Sequence, residues 1–251
     1  MRLNLGPFVW AERPAGVFGW RMPAGATQAI DFRGLQGNDV INGMGGTDTV
    51  SYANSTAGVV SSLTTVFVAG PVVTQANDAL GDTYSSIENM VGTGFADTLI
   101  GESGNNVIDG GVGDDILEGM DGADQLIGGT GSDTASYAHA SGYVMASLTT
   151  GLAGFANQGH ASGDTYSSIE NLTGSDFGDT LIGDTGINIL TGGTGDDVLE
   201  GMGGADQQVP CRAVAAQRNE QRNDREQATH AHAAISLRSI LEIAADGTGG
   251  E

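Results

Sequence analysis

Apolar residues recur every nine positions in three stretches of the chain, and glycine and aspartate recur in phase with them. Residues 110–133 read "GGVGDDILEGMDGADQLIGGTGSD". Numbered from Gly110, glycine takes positions 1 and 4 of each nine, aspartate takes position 6, and a leucine takes position 8 in the first two units. Because side chains alternate along a strand, a lone apolar residue between outward-facing neighbours predicts a three-residue strand at positions 7 to 9.

The same spacing extends to eleven units in three runs, residues 34–51, 92–136 and 174–207. Repeated glycine indicates a repeated tight turn, since glycine reaches backbone conformations that a Cβ forbids. One apolar side chain per unit cannot form a core, whereas stacked units can. The pattern therefore predicts an all-β solenoid.

A longer repeat separates these runs. The sequence "GDTYSSIEN" occurs at 81–89 and again at 163–171, each time after a Tyr-led segment with partly alternating apolar residues. This alternation predicts strands in two excursions from the nonapeptide pattern, residues 52–91 and 137–173. We expect Ile87 and Ile169 to continue the apolar core.

The charge distribution restricts the partners. From residue 35 to residue 207 there is no lysine or arginine, but there are 23 Asp and Glu residues. Such unbalanced charge opposes compaction and makes nucleic acid and anionic membranes poor partners. A hard divalent cation would supply the missing positive charge. No apolar run reaches the ~18 residues of a membrane helix, so membrane insertion is not expected.

The units "GGVGDDILE" (110–118) and "GGTGDDVLE" (192–200) resemble the RTX, or haemolysin-type calcium-binding, nonapeptide G-G-x-G-x-D-x-U-x. The resemblance implies a parallel β-roll in which two nonapeptides form one turn and Ca²⁺ lies between the loops of units n and n+2. It implies about five sites. Their position-6 pairs are Asp97 with Asp115, Asn106 with Asp124, Asp115 with Asp133, Asp179 with Asp197, and Asn188 with Asp206.

The same resemblance assigns the ligands to position-6 side chains and to main-chain carbonyls of the turn glycines. We expect weaker sites at the two Asn residues, which lack a charge, and no site within the first run, whose two units have no n+2 partner of their own. The predicted side chains are Asp39, Asp48, Asp97, Asn106, Asp115, Asp124, Asp133, Asp179, Asn188, Asp197 and Asp206. The predicted turn glycines are Gly110, Gly111, Gly113, Gly122, Gly128, Gly129, Gly131, Gly192, Gly193, Gly195 and Gly204.

The ends of the chain differ from the repeats. Residues 1–33 are a predicted N-terminal cap or the remnant of an upstream domain. After residue 207 the glycine period stops, Gln208 takes the apolar position, and five arginines appear. Residues 208–251 are either a cap with an amphipathic helix at 233–245 or an out-of-frame extension. We expect the roll to end at Gln207, because a buried amide without a partner is costly.

No zinc-protease helix, G-x-S-x-G elbow or phosphate loop occurs, so we expect no catalytic residues. Paired acids such as Asp114 and Asp115 are explained by the repeat. The resemblance implies a secreted protein exported by a type I apparatus, and the N-terminus shows no Sec-type signal. Two alternatives stay open: the calcium-binding part of an RTX enzyme with its catalytic domain elsewhere, or an adhesin or surface-layer component.

Overall fold

Each nonapeptide contributes one strand that begins at position 7 and is three residues long in most units, and a turn precedes it. This is seen in a computed structural model that describes residues 31–33, 38–43, 45–64, 75–152 and 156–209. The predicted helix at 233–245 lies outside these residues, and so do residues 1–30. The described residues contain no α-helix, only 3₁₀ helices at Asn77–Ala79 and Gly159–Ala161.

Eighteen strands within the described residues form four sheets, in which every pairing between these strands is parallel. The first sheet contains, in spatial order, β1 (Asp31–Arg33), β3 (Thr49–Ser51), β6 (Asn89–Val91), β8 (Val107–Val112), β10 (Gln125–Thr130) and β13 (Thr165–Ser167). The second contains β4 (Val60–Ser62), β7 (Thr98–Ile100), β9 (Ile116–Glu118), β11 (Thr134–Ser136), β14 (Asn171–Thr173), β16 (Ile189–Thr191) and β18 (Gln207–Val209). The third contains β12 (Met145–Ser147), β15 (Thr180–Ile182) and β17 (Val198–Glu200), and the fourth contains β2 (Val40–Asn42) and β5 (Thr83–Ser85).

Within each of the two longer runs, strands alternate between two sheets, so each strand pairs with the strand two units away. Leu99 of β7 is in register with Leu117 of β9, and Ile108 of β8 is in register with Leu126 of β10. Two nonapeptides therefore complete one turn of the solenoid. This confirms the predicted parallel β-roll.

The core is the stack of position-8 side chains. Leu99, Ile108, Leu117 and Leu126 are each 0% exposed. Burying such a side chain contributes about 1.5–3 kcal/mol, and the contributions accumulate only because the units stack. Neighbouring position-7 residues, such as Ile116, face solvent, as the period-2 alternation requires.

The two excursions rejoin the ladder through the "GDTYSSIEN" segments. In the first, Tyr84 of β5 pairs in register with Ile41, and Met90 of β6 pairs with Val50. Each segment therefore supplies two consecutive strands joined by only three residues. Ile87 and Ile169 are buried as predicted, but they lie in this short turn rather than in a strand.

The end of the third run differs from the expectation. Strand β18 continues to Val209, two residues beyond Gln207, and Gln208 is in register with Leu190 of β16. Gln208 is exposed, so its amide remains in solvent and the expected cost of burial does not arise. Among the described residues, no helix is long and apolar enough to cross a membrane.

Candidate metal centre

The turns stack so that each position-6 backbone contacts the position-6 side chain two units later. The N–H of Asp97 donates to Oδ1 of Asp115 at 2.8 Å, and the N–H of Asp115 donates to Oδ1 of Asp133 at 2.9 Å. The same contact joins the other three predicted pairs at 2.8–3.0 Å, namely Asn106 to Asp124, Asp179 to Asp197, and Asn188 to Asp206. The structure thus brings together all five predicted pairs.

The second oxygen of several of these carboxylates has no hydrogen bond. Within the described part of the chain, the buried Oδ2 atoms of Asp115, Asp124, Asp133 and Asp197 lack a hydrogen-bond partner. A buried anionic oxygen without a partner is strongly destabilising. A cation bound at these oxygens would remove that cost, so the donor set fits an oxygen-liganded divalent ion such as Ca²⁺.

The glycine at position 1 is required because the carboxylate of the same unit folds back over it. A Cβ on Gly110 would lie under 3.0 Å from Oδ2 of Asp115, and a Cβ on Gly192 would meet Asp197 in the same way. A side chain there would displace the carboxylate. This explains why position 1 is glycine in all eleven units.

The glycines at positions 2 and 4 let the turn backbones stack in direct contact. The eight predicted turn glycines at these positions adopt left-handed φ angles between 89° and 152°, and a Cβ on Gly131 would collide with the carbonyl of Gly113 in the preceding turn on that side. The affected residues are Gly111, Gly129 and Gly193 at position 2, and Gly113, Gly122, Gly131, Gly195 and Gly204 at position 4. Main-chain carbonyls consequently lie between successive turns.

Side chains alone do not make a metal site here. Among the described residues, no group of three or more His, Cys, Asp or Glu side chains is arranged to hold an ion. An ion between two turns would therefore take most of its ligands from carbonyls, with the position-6 carboxylates supplying the charge. Ca²⁺ accepts such mixed oxygen ligands in flexible geometry.

Burial raises the pKa of these carboxyl groups. The pKa of Asp115 is raised to about 6, chiefly by desolvation, with nearby carboxylates adding to the rise and the N–H of Asp97 opposing it. Desolvation likewise raises the pKa of Asp124 to about 7. It also raises the pKa of Asp97, Asp133, Asp179 and Asp197. The metal-free turns therefore disfavour the ionised carboxylates.

The first unit of each longer run is held by hydrogen bonds both from the preceding excursion and from its own turn. Oδ1 of Asp97 accepts the N–H of Val59 at 2.6 Å, and its Oδ2 accepts the N–H of Thr93 at 2.6 Å. Asp179 accepts the N–H groups of Val144 and Ser175 in the same way, at 2.7 and 2.6 Å. These aspartates therefore fix the excursion to the roll.

In both position-6 asparagines, the side-chain oxygen accepts a hydrogen bond and the side-chain nitrogen donates one. Oδ1 of Asn106 accepts the N–H of Glu102 at 2.9 Å, and its Nδ2 donates to the carbonyl of Glu88 at 2.7 Å. Asn188 repeats both contacts with Asp184 and Glu170. Weaker calcium sites at these two units remain a prediction.

The first run has no n+2 unit of its own, as its spacing indicates, but the excursions supply acidic partners that the nonapeptide spacing does not reveal. The N–H of Asp39 donates to Oδ1 of Asp82, and the N–H of Asp48 donates to Oε2 of Glu88, both at 2.8 Å. In the second copy, the N–H of Asp124 donates to Oδ1 of Asp164 at 2.9 Å, and the N–H of Asp133 donates to Oε2 of Glu170 at 2.8 Å. The duplicated "GDTYSSIEN" was the available signal, since its Asp and Glu directly precede the two strands.

The excursion aspartates differ from the repeat aspartates at their second oxygen. Oδ2 of Asp82 accepts the hydroxyl of Tyr52 at 2.9 Å, and Oδ2 of Asp164 accepts the hydroxyl of Tyr137 at 2.8 Å. Both tyrosines are almost completely buried. In Asp82 and Asp164, a tyrosine hydroxyl therefore donates to Oδ2, the oxygen that has no hydrogen-bond partner in Asp115.

Comparison with known families matches the RTX calcium-binding nonapeptide repeat in four copies, at residues 31–54, 91–126, 102–135 and 173–208. A search of curated proteins finds no match to the chain. The matched segments contain the nonapeptide runs whose turns carry the partnerless carboxylate oxygens. The chain therefore contains RTX calcium-binding nonapeptide repeats, and its β-roll is a calcium-binding module.

Proposed function

We propose that this chain is a non-catalytic calcium-binding module of a secreted protein, and that it folds as it binds calcium outside the cell. The observation that carries the proposal is the set of buried Oδ2 atoms of Asp115, Asp124, Asp133 and Asp197, which have no hydrogen-bond partner among the described residues. Calcium at these oxygens would convert an electrostatic cost into a stabilising interaction.

The role of calcium follows from the charge balance. Residues 35–207 contain 23 acidic side chains and no lysine or arginine to compensate them. Bringing these carboxylates into stacked turns is unfavourable without a cation, and an ion that binds only the folded form stabilises it by mass action. Extracellular calcium modules typically bind at about 10⁻⁴–10⁻³ M, so such a chain would remain unfolded at cytosolic calcium levels.

Secretion and the absence of catalysis are part of the proposal. RTX repeats are typical of secreted proteins, and export in an unfolded state through a type I apparatus suits a chain that needs calcium to fold. The sequence contains no G-x-S-x-G elbow, no zinc-protease helix motif and no phosphate loop. An upstream catalytic or adhesive domain in the parent protein is compatible with this module.

The test is the number of calcium ions bound per chain, measured by equilibrium dialysis and isothermal titration calorimetry. We expect at least five ions, one for each position-6 pair. Asp115→Ala should remove two, because Asp115 belongs to the pairs with Asp97 and with Asp133. A chain that binds no calcium at 10 mM, on the scale of about ten times the usual extracellular range, would refute the proposal.

A further inference from the structure

We propose that two three-residue turns outside the nonapeptide repeats complete further calcium sites. We call them the SIE turns: Ser86–Glu88, which faces Gly43 and Asp48, and Ser168–Glu170, which faces the turn at 128–133. The inference rests on the proposed function, since it adds sites to the same roll. It would raise the number of ions by up to two.

The second SIE turn reproduces the contact that joins position-6 residues in the repeats. The N–H of Asp133 donates to Oε2 of Glu170 at 2.8 Å, as the N–H of Asp115 donates to Oδ1 of Asp133 at 2.9 Å. The N–H of Glu170 returns to the carbonyl of Asp133 at 3.1 Å. Glutamate has one more methylene than aspartate. This extra length lets a turn of three residues replace the six residues that precede the strand in a nonapeptide.

The carbonyl of Ser168 takes the place of the position-1 carbonyl of a regular turn. A Cβ on Gly128 would lie under 3.0 Å from both the carbonyl oxygen of Ser168 and Oδ2 of Asp133. In a regular pair, a Cβ on Gly174 would meet the carbonyl oxygen of Gly192 and Oδ2 of Asp179 in the same way. A carboxylate oxygen and a carbonyl oxygen therefore face the same point in both cases.

The carboxylate oxygen at the second SIE turn lacks a donor. Asp133 is 0% exposed, and its Oδ2 has no hydrogen-bond partner in the part of the chain that the structure describes. The Oδ2 of Asp133 and the carbonyl oxygen of Ser168 face one another at a buried site, and no donor hydrogen bridges them. A cation would stabilise such a pair of oxygens. The half-buried carboxylate of Glu170 adds negative charge at the same turn, which suits Ca²⁺.

The first SIE turn places its glutamate and its serine carbonyl in the same way as the second. The N–H of Asp48 donates to Oε2 of Glu88, and a Cβ on Gly43 would lie under 3.0 Å from both Oδ2 of Asp48 and the carbonyl oxygen of Ser86. By contrast, Oδ2 of the excursion aspartate Asp164 accepts a tyrosine hydroxyl. The proposal therefore concerns the SIE turns and not the neighbouring Asp164 contact.

The test counts calcium in variants that alter one SIE turn. Glu170→Ala should bind one ion fewer per chain than the wild type by equilibrium dialysis. Glu170→Gln keeps an oxygen that can accept the N–H of Asp133, so it should keep its β content by circular dichroism and bind that ion about tenfold more weakly. Glu200→Ala, which alters an exposed glutamate at position 9 of β17, is the control and should match the wild type.

The result separates this inference from the function on which it rests. If the wild type binds calcium but Glu170→Ala and Glu170→Gln match its ion count and affinities, the SIE turns bind no ion and the inference is overturned. If Glu170→Ala does not fold, Glu170→Gln decides the question by its calorimetric affinity. If the wild type binds no calcium, the proposed function itself fails.

Discussion

Asp115→Asn should change the stability of the roll in opposite directions with and without calcium. Asp115 is 0% exposed, its Oδ1 accepts the N–H of Asp97, and its Oδ2 has no hydrogen-bond partner among the described residues. Asparagine has nearly the same shape and keeps an oxygen for the N–H of Asp97. The substitution therefore removes the charge while it leaves the backbone contact in place.

The magnitude follows from the pKa. Burial raises the pKa of Asp115 from 3.8 to about 6, and two pKa units correspond to about 3 kcal/mol against the ionised form at high pH. Because the adjacent Asp114 and Ile116 are exposed, solvent screens part of this energy. We expect Asn to stabilise the calcium-free fold by about 2 kcal/mol at pH 8.

With calcium the sign reverses. Asp115 belongs to the pairs with Asp97 and with Asp133, so both sites lose one ligand charge. A tenfold loss of affinity at each saturated site costs about 1.4 kcal/mol, and two sites cost about 3 kcal/mol. The calcium-loaded roll should therefore be less stable in the variant.

Two titrations followed by circular dichroism measure these effects. In chelator at pH 8, Asp115→Asn should need less of the stabilising osmolyte TMAO than the wild type to reach half of the β content. Without osmolyte, it should need more calcium. Asp109→Asn, at the half-exposed position 9 of a neighbouring unit, should leave both midpoints unchanged. If both midpoints of Asp115→Asn move in the same direction, the partnerless carboxylate does not have the role assigned to it.

Three further predictions follow from the same turns. Tyr137→Phe removes the hydroxyl that donates to Oδ2 of Asp164, so it should destabilise the calcium-loaded roll by about 1–3 kcal/mol in urea without changing the number of ions bound; a lost ion would contradict this assignment. Gly119→Ala places a Cβ under 3.0 Å from the carboxylate of Asp124 and should raise the calcium midpoint and cost about 1–3 kcal/mol, whereas Gly94→Ala meets nothing within 4 Å and should be neutral; equal effects would refute the steric account. Because the folded pKa of Asp124 is raised to about 7, the stability that its protonation gives the calcium-free fold is fully present below pH 3.8 and lost as pH rises through 7. In chelator, β content should therefore increase as pH falls from 8 to 5, and a flat profile would contradict the burial of these carboxylates.

The sequence predicted the parts of the fold that one short pattern determines. Glycine at position 1, aspartate at position 6 and an apolar residue at position 8 recur every nine residues, and the resemblance to the RTX repeat implies the five n/n+2 pairs once that period is known. The reason is that these contacts depend only on the spacing. The carboxylate of Asp115 covers Gly110 within its own unit, and Leu117 is in register with Leu99, two units earlier. Such contacts repeat wherever the spacing repeats.

The excursions could not be predicted in the same way because their contacts depend on a change of spacing. Asp82 and Asp164 contact residues 40 or more positions earlier, across loops whose lengths the period does not fix. Glu88 and Glu170 occupy the position-6 place only because Ser86 and Ser168 adopt left-handed φ angles of 52° and 51°, which shortens the turn. Serine gives no sequence signal for that conformation, whereas glycine does.

Far-ultraviolet circular dichroism of the chain at pH 8, in excess chelator and then through a calcium titration up to 10 mM, tests the central claim most directly. The account predicts a coil spectrum in chelator and a cooperative change to a β spectrum as calcium is raised to about 10⁻⁴–10⁻³ M. A full β spectrum in chelator that calcium does not alter would contradict it.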